Sequence, residues 1–83
     1  MKIKFSEHAE ITLKKRKIPK SRVLQVIQKP HAENISFRGR KLSRRVFNNK
    51  VLEVVTVTEE NVIIVITQYY LEAENEIQIR RKN

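Results

Sequence analysis

The segment from Val51 to Tyr70 places the tightest limits on the fold. Val51 to Thr58 is rich in β-branched residues, Glu59-Glu60-Asn61 is a turn-forming triplet, and Val62 to Tyr70 is a second long run. Branched side chains lose rotamer freedom in a helix and pack well on a pleated surface, so both runs are predicted strands. The short turn between them makes them antiparallel neighbours. Val62 to Ile66 is apolar at every position, which predicts a central strand buried on both faces. Upstream, Ile35, Phe37, Leu42, Val46 and Phe47 mark a strand-like stretch broken near Arg38-Gly39-Arg40. It enters the hairpin through Asn48-Asn49, a pair that tolerates positive φ.

The first thirty residues read differently. Lys2 to Phe5 alternates polar and apolar residues and predicts a short strand. Ser6 is a predicted helix N-cap. The helix should run from Glu7 to Lys15 or Arg16, with an acid at its start and four cations, Lys14 to Lys17, at its end, matching the dipole. Ile18-Pro19 interrupts it, because the residue before proline is pushed out of the helical region. A second helix is expected from about Pro19 to Ser21 until just before Pro30, with Val23, Leu24 and Ile27 as its buried stripe. The expected fold is α+β: a short N-terminal strand, then two helices packed on one face of an antiparallel sheet of three to four strands. Residues 1–70 form the domain. Residues 71–83 are a charged tail in which Ile77 and Ile79 alternate as a candidate edge strand. Two short helices cover only one sheet face, so the tail, a second copy of the chain or a partner chain is expected on the other.

A chain of 83 residues builds one modest core. It has no cysteine and two histidines, which excludes disulfides and thiolate metal sites and argues against structural zinc. No cofactor is expected: the sequence carries no glycine-rich phosphate loop and no Ser-His-Asp order. The N-terminus lacks an apolar run of signal-peptide length, and no stretch approaches the roughly 18 apolar residues of a membrane span. A cytoplasmic location is the expectation.

Charge is distributed unevenly. The first fifty residues hold fifteen cations and three acids, a net +12, while residues 51–83 hold three cations and six acids, a net −3. Such asymmetry speaks of partners rather than fold and points to a polyanion, here nucleic acid. The candidate nucleic-acid contacts are Lys14, Lys15, Arg16, Arg38, Arg40 and Lys41. For Arg16 the competing reading is dipole complementarity and packing of its stem.

Were the nucleic acid RNA, its metal-free cleavage would need a base for the 2′-OH, cations for the phosphate and an acid for the 5′-oxygen. Four residues are candidates. His8 carries an imidazole, the side-chain type suited to proton transfer in neutral water, and stands at a helix start; it serves as base, or it packs and caps. Arg44 and Arg45 are adjacent on a strand, so one points to each face; either clamps a phosphate, or both protect an edge strand. Tyr69, on the same face as Thr67, stacks on a base, exchanges a proton or belongs to the core.

The string Ser6-Glu7-His8-Ala9, then Leu13, Arg16, Ile18 and Val23, resembles the DUF4258 family, whose members read S-x-H-A, x-x-R-M, x-x-R-G-I-S, x-x-x-V. Val65-Ile66-Thr67-Gln68-Tyr69 is similar to the family's closing V-T-x-Y strand. The resemblance covers Ile3 to Tyr70. Three positions depart from it: Thr12 stands for the family's first-helix arginine, Lys17 for a glycine and Pro19 for a serine. The family is similar to the RelE/ParE toxins and the small metal-independent ribonucleases of that fold. The resemblance therefore implies a toxin domain of a toxin–antitoxin system that cleaves RNA, free or on the ribosome, with a cognate antitoxin or a homodimer partner. The alternative is a non-catalytic module of the same fold that binds RNA, the ribosome or a protein, as the gyrase-directed ParE branch does.

Overall fold

A computed structural model describes residues 2–36 and 38–72. The chain runs through β1 (Lys2–Phe5), α1 (Glu7–Arg16), α2 (Lys20–Gln28), β2 (Ala32–Ile35), β3 (Lys41–Phe47), β4 (Lys50–Glu59) and β5 (Val62–Glu72). The strands form one sheet of five in the order β1-β5-β4-β3-β2. The expectation of three to four strands undercounts for two reasons. The stretch after Pro30 is two strands, β2 and β3, paired antiparallel. The N-terminal strand also joins the same sheet, and it lies parallel to β5, with Lys2 opposite Val62 and Phe5 opposite Val65. The remaining pairs are antiparallel, as the short turns require. The candidate edge strand around Ile77 and Ile79 lies outside the described residues.

Local chemistry sets the element ends. Ser6 caps α1, its Oγ accepting from the Ala9 N–H at 3.1 Å. Lys17 closes the same helix in the left-handed region, φ 53°, and its N–H reaches back to the Leu13 and Lys14 carbonyls. Asn48 (φ 58°) and Glu60 (φ 56°) supply the positive φ at the β3–β4 and β4–β5 turns. Gly39, φ 75°, does the same between β2 and β3.

Both helices pack on one face of the sheet, as expected. Ala9 and Leu13 from α1, Ile18 from the connection, and Val23 and Val26 from α2 meet Leu52, Val54 and Val65 from the sheet. The stripe on α2 is Val23, Val26 and Ile27, with Leu24 only half-buried. At 100° per residue, Leu24 falls to the side of a face centred between Val23, Val26 and Ile27.

The strand buried on both sides is β4, not β5. Every residue from Val51 to Thr56 is buried, and β4 is flanked by β3 and β5 along its length. The outer side of β5 pairs with β1 only over Val62 to Val65. Its apolar start is shared between two neighbours there, and its C-terminal half is an outer edge among the described strands.

Candidate nucleic-acid interface

A single row of side chains crosses the face that the helices leave uncovered. Arg44 lies opposite Glu53, and Glu53 lies opposite Tyr69, in adjacent strands β3, β4 and β5. Leu52 and Val54 point into the helix-covered core, so Glu53, between them, points the other way, and its two partners with it. Arg44 Nε donates to Glu53 Oε1 at 2.8 Å, and the side chains are 21% and 5% exposed. The Tyr69 hydroxyl hydrogen-bonds the Glu53 carboxylate as well.

The Tyr69 phenol is pushed up to about 12, first by burial, then by the hydrogen bond to Glu53 and the repulsion between that carboxylate and a phenolate. Arg44 and Arg16 pull in the opposite direction. At neutral pH the phenol is therefore a proton donor, with two guanidinium groups near enough to act on its charge.

Arg16 reaches this face along the outer edge of β5. That edge carries carbonyls which no described strand satisfies beyond Val65, and side chains take two of them instead. Ser6 Oγ donates to the Ile66 carbonyl at 3.1 Å, and Arg16 Nη1 to the Gln68 carbonyl at 3.5 Å. A bulge decides which side chains look outward. Thr56 pairs with Val65 but Val55 pairs with Thr67, so Ile66 is an extra residue on β5 and the alternation changes phase there. As a result Val65 and Gln68 both point inward and Tyr69 points out.

Gln68 then fastens β5 to α1. Its fully buried amide donates from Nε2 to Thr12 Oγ1 at 2.7 Å and to the Ala9 carbonyl at 3.0 Å. The Thr12 hydroxyl faces the His8 and Ala9 carbonyls, each at 3.1 Å, so it donates along its own helix while accepting from Gln68. Gln68 Oε1 has no partner among the described residues.

The structure thus brings together three of the residues proposed from sequence, Arg16, Arg44 and Tyr69, and adds Glu53. Arg45 lies on the other face. Its Nη1 donates to the Lys29 carbonyl at 2.7 Å and sits 3.0 Å from His31 Nε2, anchoring the α2–β2 connection. His8 is exposed in the first turn of α1, two turns before Arg16 and so about 12 Å along the helix axis. Lys14 and Lys15 are exposed at the end of α1, and Arg38 and Arg40 are exposed beside Gly39. Lys41 is half-buried and pairs with Glu33. Glu53 was legible in principle: an acid inside a β-branched run needs a cation, and the neighbouring strand offers Arg44. Among the described residues no group of three or more His, Cys, Asp or Glu could hold a metal ion, and no helix is long and apolar enough to cross a membrane.

Compared with known proteins, residues 5–70 match the family model described as "Domain of unknown function (DUF4258)". No curated protein and no solved structure matches the chain.

Proposed function

The chain belongs to the DUF4258 family, and we propose that it is a RelE/ParE-like domain that acts on RNA, gripping the phosphate backbone at Arg16, Tyr69 and Arg44. The observation that carries this reading is electrostatic. A phenol kept protonated by burial and by Glu53 stands under the influence of two guanidinium groups on the sheet face free of helices. A phosphate entering there meets two cations and a neutral O–H donor. In the ribonuclease reading, Arg16 and Arg44 stabilise the charge that builds on the phosphate, and Tyr69 gives its proton to the departing 5′-oxygen. Glu53 positions both Arg44 and Tyr69. The activity so described is that of a toxin endoribonuclease working without metal.

One observation favours a second reading, in which the same face binds RNA without cutting it. Among the described residues the cluster holds no group ready to take the 2′-OH proton. Glu53 is committed to Arg44 and Tyr69, and His8 is two helical turns from Arg16.

The test is a purified-protein assay on labelled single-stranded RNA in the presence of a chelator. Binding should weaken steeply with salt, and Arg16→Gln should reduce the slope. If the domain cuts, Tyr69→Phe should slow cleavage by about 10²-fold or more while leaving affinity nearly unchanged. Binding with intact RNA at saturating protein selects the second reading. Absence of salt-dependent binding rejects both.

A further inference from the structure

A second group of cations gathers on the helix side of the sheet. Arg22, in the first turn of α2, donates from Nη1 to the Tyr70 hydroxyl at 2.8 Å, and its guanidinium lies 5.1 Å from the centre of the Phe47 ring. The Arg45 guanidinium lies 5.9 Å from that ring. Lys50 Nζ is 5.5 Å from the centre of the Tyr70 ring. The register explains the gathering. Tyr70, Leu52 and Arg45 form one row across β5, β4 and β3, and Lys50 and Phe47 stand in the next row at the β3–β4 turn.

Among the described residues no ion pair engages these three cations, whereas Glu10, Glu33 and Glu53 are each paired elsewhere, with Lys20, Lys41 and Arg44. Contact with an aromatic face orients a cation but leaves its charge in place. Among the described side chains, then, these three positive charges have no carboxylate partner, and they stand around two half-buried rings.

We infer that Arg22, Arg45 and Lys50, with Tyr70 and Phe47, form a second contact site for single-stranded RNA, on the opposite face of the sheet from Arg16, Tyr69 and Arg44. The choice of RNA rests on the functional reading above. It is favoured over an acidic protein by the rings, whose exposed parts give bases a stacking surface once the cations over them turn to the phosphates. Carboxylates would use the cations and leave the rings idle. Tyr69 and Tyr70 are consecutive and point to opposite faces of β5, on the half of that strand whose outer edge pairs with no described strand. One strand of RNA that passes around this edge touches both sites.

The experiment is fluorescence anisotropy of labelled oligouridylate against the full chain over a salt series. Removing one phosphate-neutralising cation from a single-strand complex lowers the salt slope by about 0.7. The triple variant Arg22→Gln/Arg45→Gln/Lys50→Gln should lower it by about 2. Because Arg22 and Arg45 also hold Tyr70 and the Lys29 carbonyl, Lys50→Glu is the control variant. Lys50 is exposed at a turn, so its change should leave the domain cooperatively folded and still lower the slope by at least about 0.7. Arg16→Gln/Tyr69→Phe, on the other face, should weaken binding independently of both. A wild type that binds RNA, binds it more weakly in the Arg16→Gln variants and keeps its slope in Lys50→Glu and in the triple variant would leave the first site standing and overturn the second. A wild type that ignores RNA overturns both sites. Capture of a polyglutamate peptide by Arg22, Arg45 and Lys50, with RNA affinity unaffected when they are replaced, would substitute an acidic protein partner for RNA.

Discussion

Removing either partner of the Arg44–Glu53 pair should have very unequal effects, and the difference decides how any assay of this face is read. Glu53 is almost inaccessible, with 5% of its side chain exposed, while Arg44 keeps 21%. Arg44→Ala strips a buried carboxylate of the guanidinium paired with it, a change that costs about 3–5 kcal/mol at sites of this kind. A domain of this length is stable by roughly 4–12 kcal/mol, so the variant loses a large part of its folding free energy. Glu53→Gln keeps an acceptor for Tyr69 and leaves a cation that can turn toward solvent, and it should cost about 1–2 kcal/mol. Replacing both, as Arg44→Met/Glu53→Leu, removes charge and partner together and should come within about 1 kcal/mol of the wild type. Equilibrium urea unfolding followed by circular dichroism gives the three differences. The double-mutant cycle should return a coupling of at least about 2 kcal/mol. If Arg44→Ala unfolds within 1 kcal/mol of the wild type (about a fivefold change in the folding constant), the pair is not buried in the energetic sense and Glu53 is not what positions Arg44. If the large loss is found, a dead Arg44→Ala protein says nothing about chemistry, and function must be tested with Arg16→Gln and Tyr69→Phe instead.

Three further outcomes follow from the same geometry. In a Tyr70→Phe background, ultraviolet titration of the remaining phenol should give a midpoint near about 12, and Glu53→Gln should bring it down toward the ordinary tyrosine range. Because the folded value lies above the unfolded one, this residue's contribution to stability is complete below pH 10 and is lost as pH rises from 10 to about 12; Tyr69→Phe should flatten that part of the stability–pH curve. Thr12→Val should cost about 1–3 kcal/mol by leaving the Gln68 amide short of an acceptor, and adding Gln68→Leu, which also removes the unpartnered Oε1, should recover most of it in urea unfolding; simple additivity would refute the Thr12–Gln68 clamp. Lys17→Gly should raise the thermal midpoint, with a gain of about 1 kcal/mol, since a side chain at φ 53° carries a left-handed penalty that glycine lacks; no gain would mean that the lysine side chain stabilises the helix end by as much.

What could be read from sequence is what neighbouring residues decide among themselves. The Ser6 cap, the limits of α1, the Asn48-Asn49 turn and the division of Arg44 and Arg45 between faces all depend on contacts within a few positions. The misreadings concern partners far apart in the chain. Nothing near Lys2–Phe5 says that β1 will lie parallel to β5, sixty residues on. The apolar run Val62–Ile66 suggested the centre of the sheet, but which strand is central depends on pairing order, which places β4 there. The phase of β5 depends on the bulge at Ile66. The alternation of Tyr69 and Tyr70 was legible, yet their assignment to uncovered and covered faces was not. The candidate site inherits this division. Arg44 and Tyr69 could be named from their strands, whereas Glu53 between them and the approach of Arg16 along the β5 edge are products of register.

The three departures from the family pattern differ in what each position does. Position 17 is the left-handed helix end and position 19 the N-cap of α2, so the family's glycine and serine there suit backbone geometry, and Lys17 and Pro19 affect stability rather than chemistry. Pro19 holds an extended φ of −67° and offers no side-chain cap, exchanging a capping hydrogen bond for a stiffer unfolded chain. Position 12 differs in kind. Thr12 is 7% exposed and is bound into the α1–β5 seam by Gln68, one turn before Arg16 on the same flank of the helix. An arginine there would have to send its charge out along the edge that Arg16 occupies. In this chain the seam is closed by a short hydroxyl and an amide, and the cation over β5 comes from Arg16 alone on the α1 side. If the face works on phosphate, it does so with Arg16 and Arg44 on either side of Tyr69, and the absence of arginine at position 12 removes a third cation without dismantling that pair.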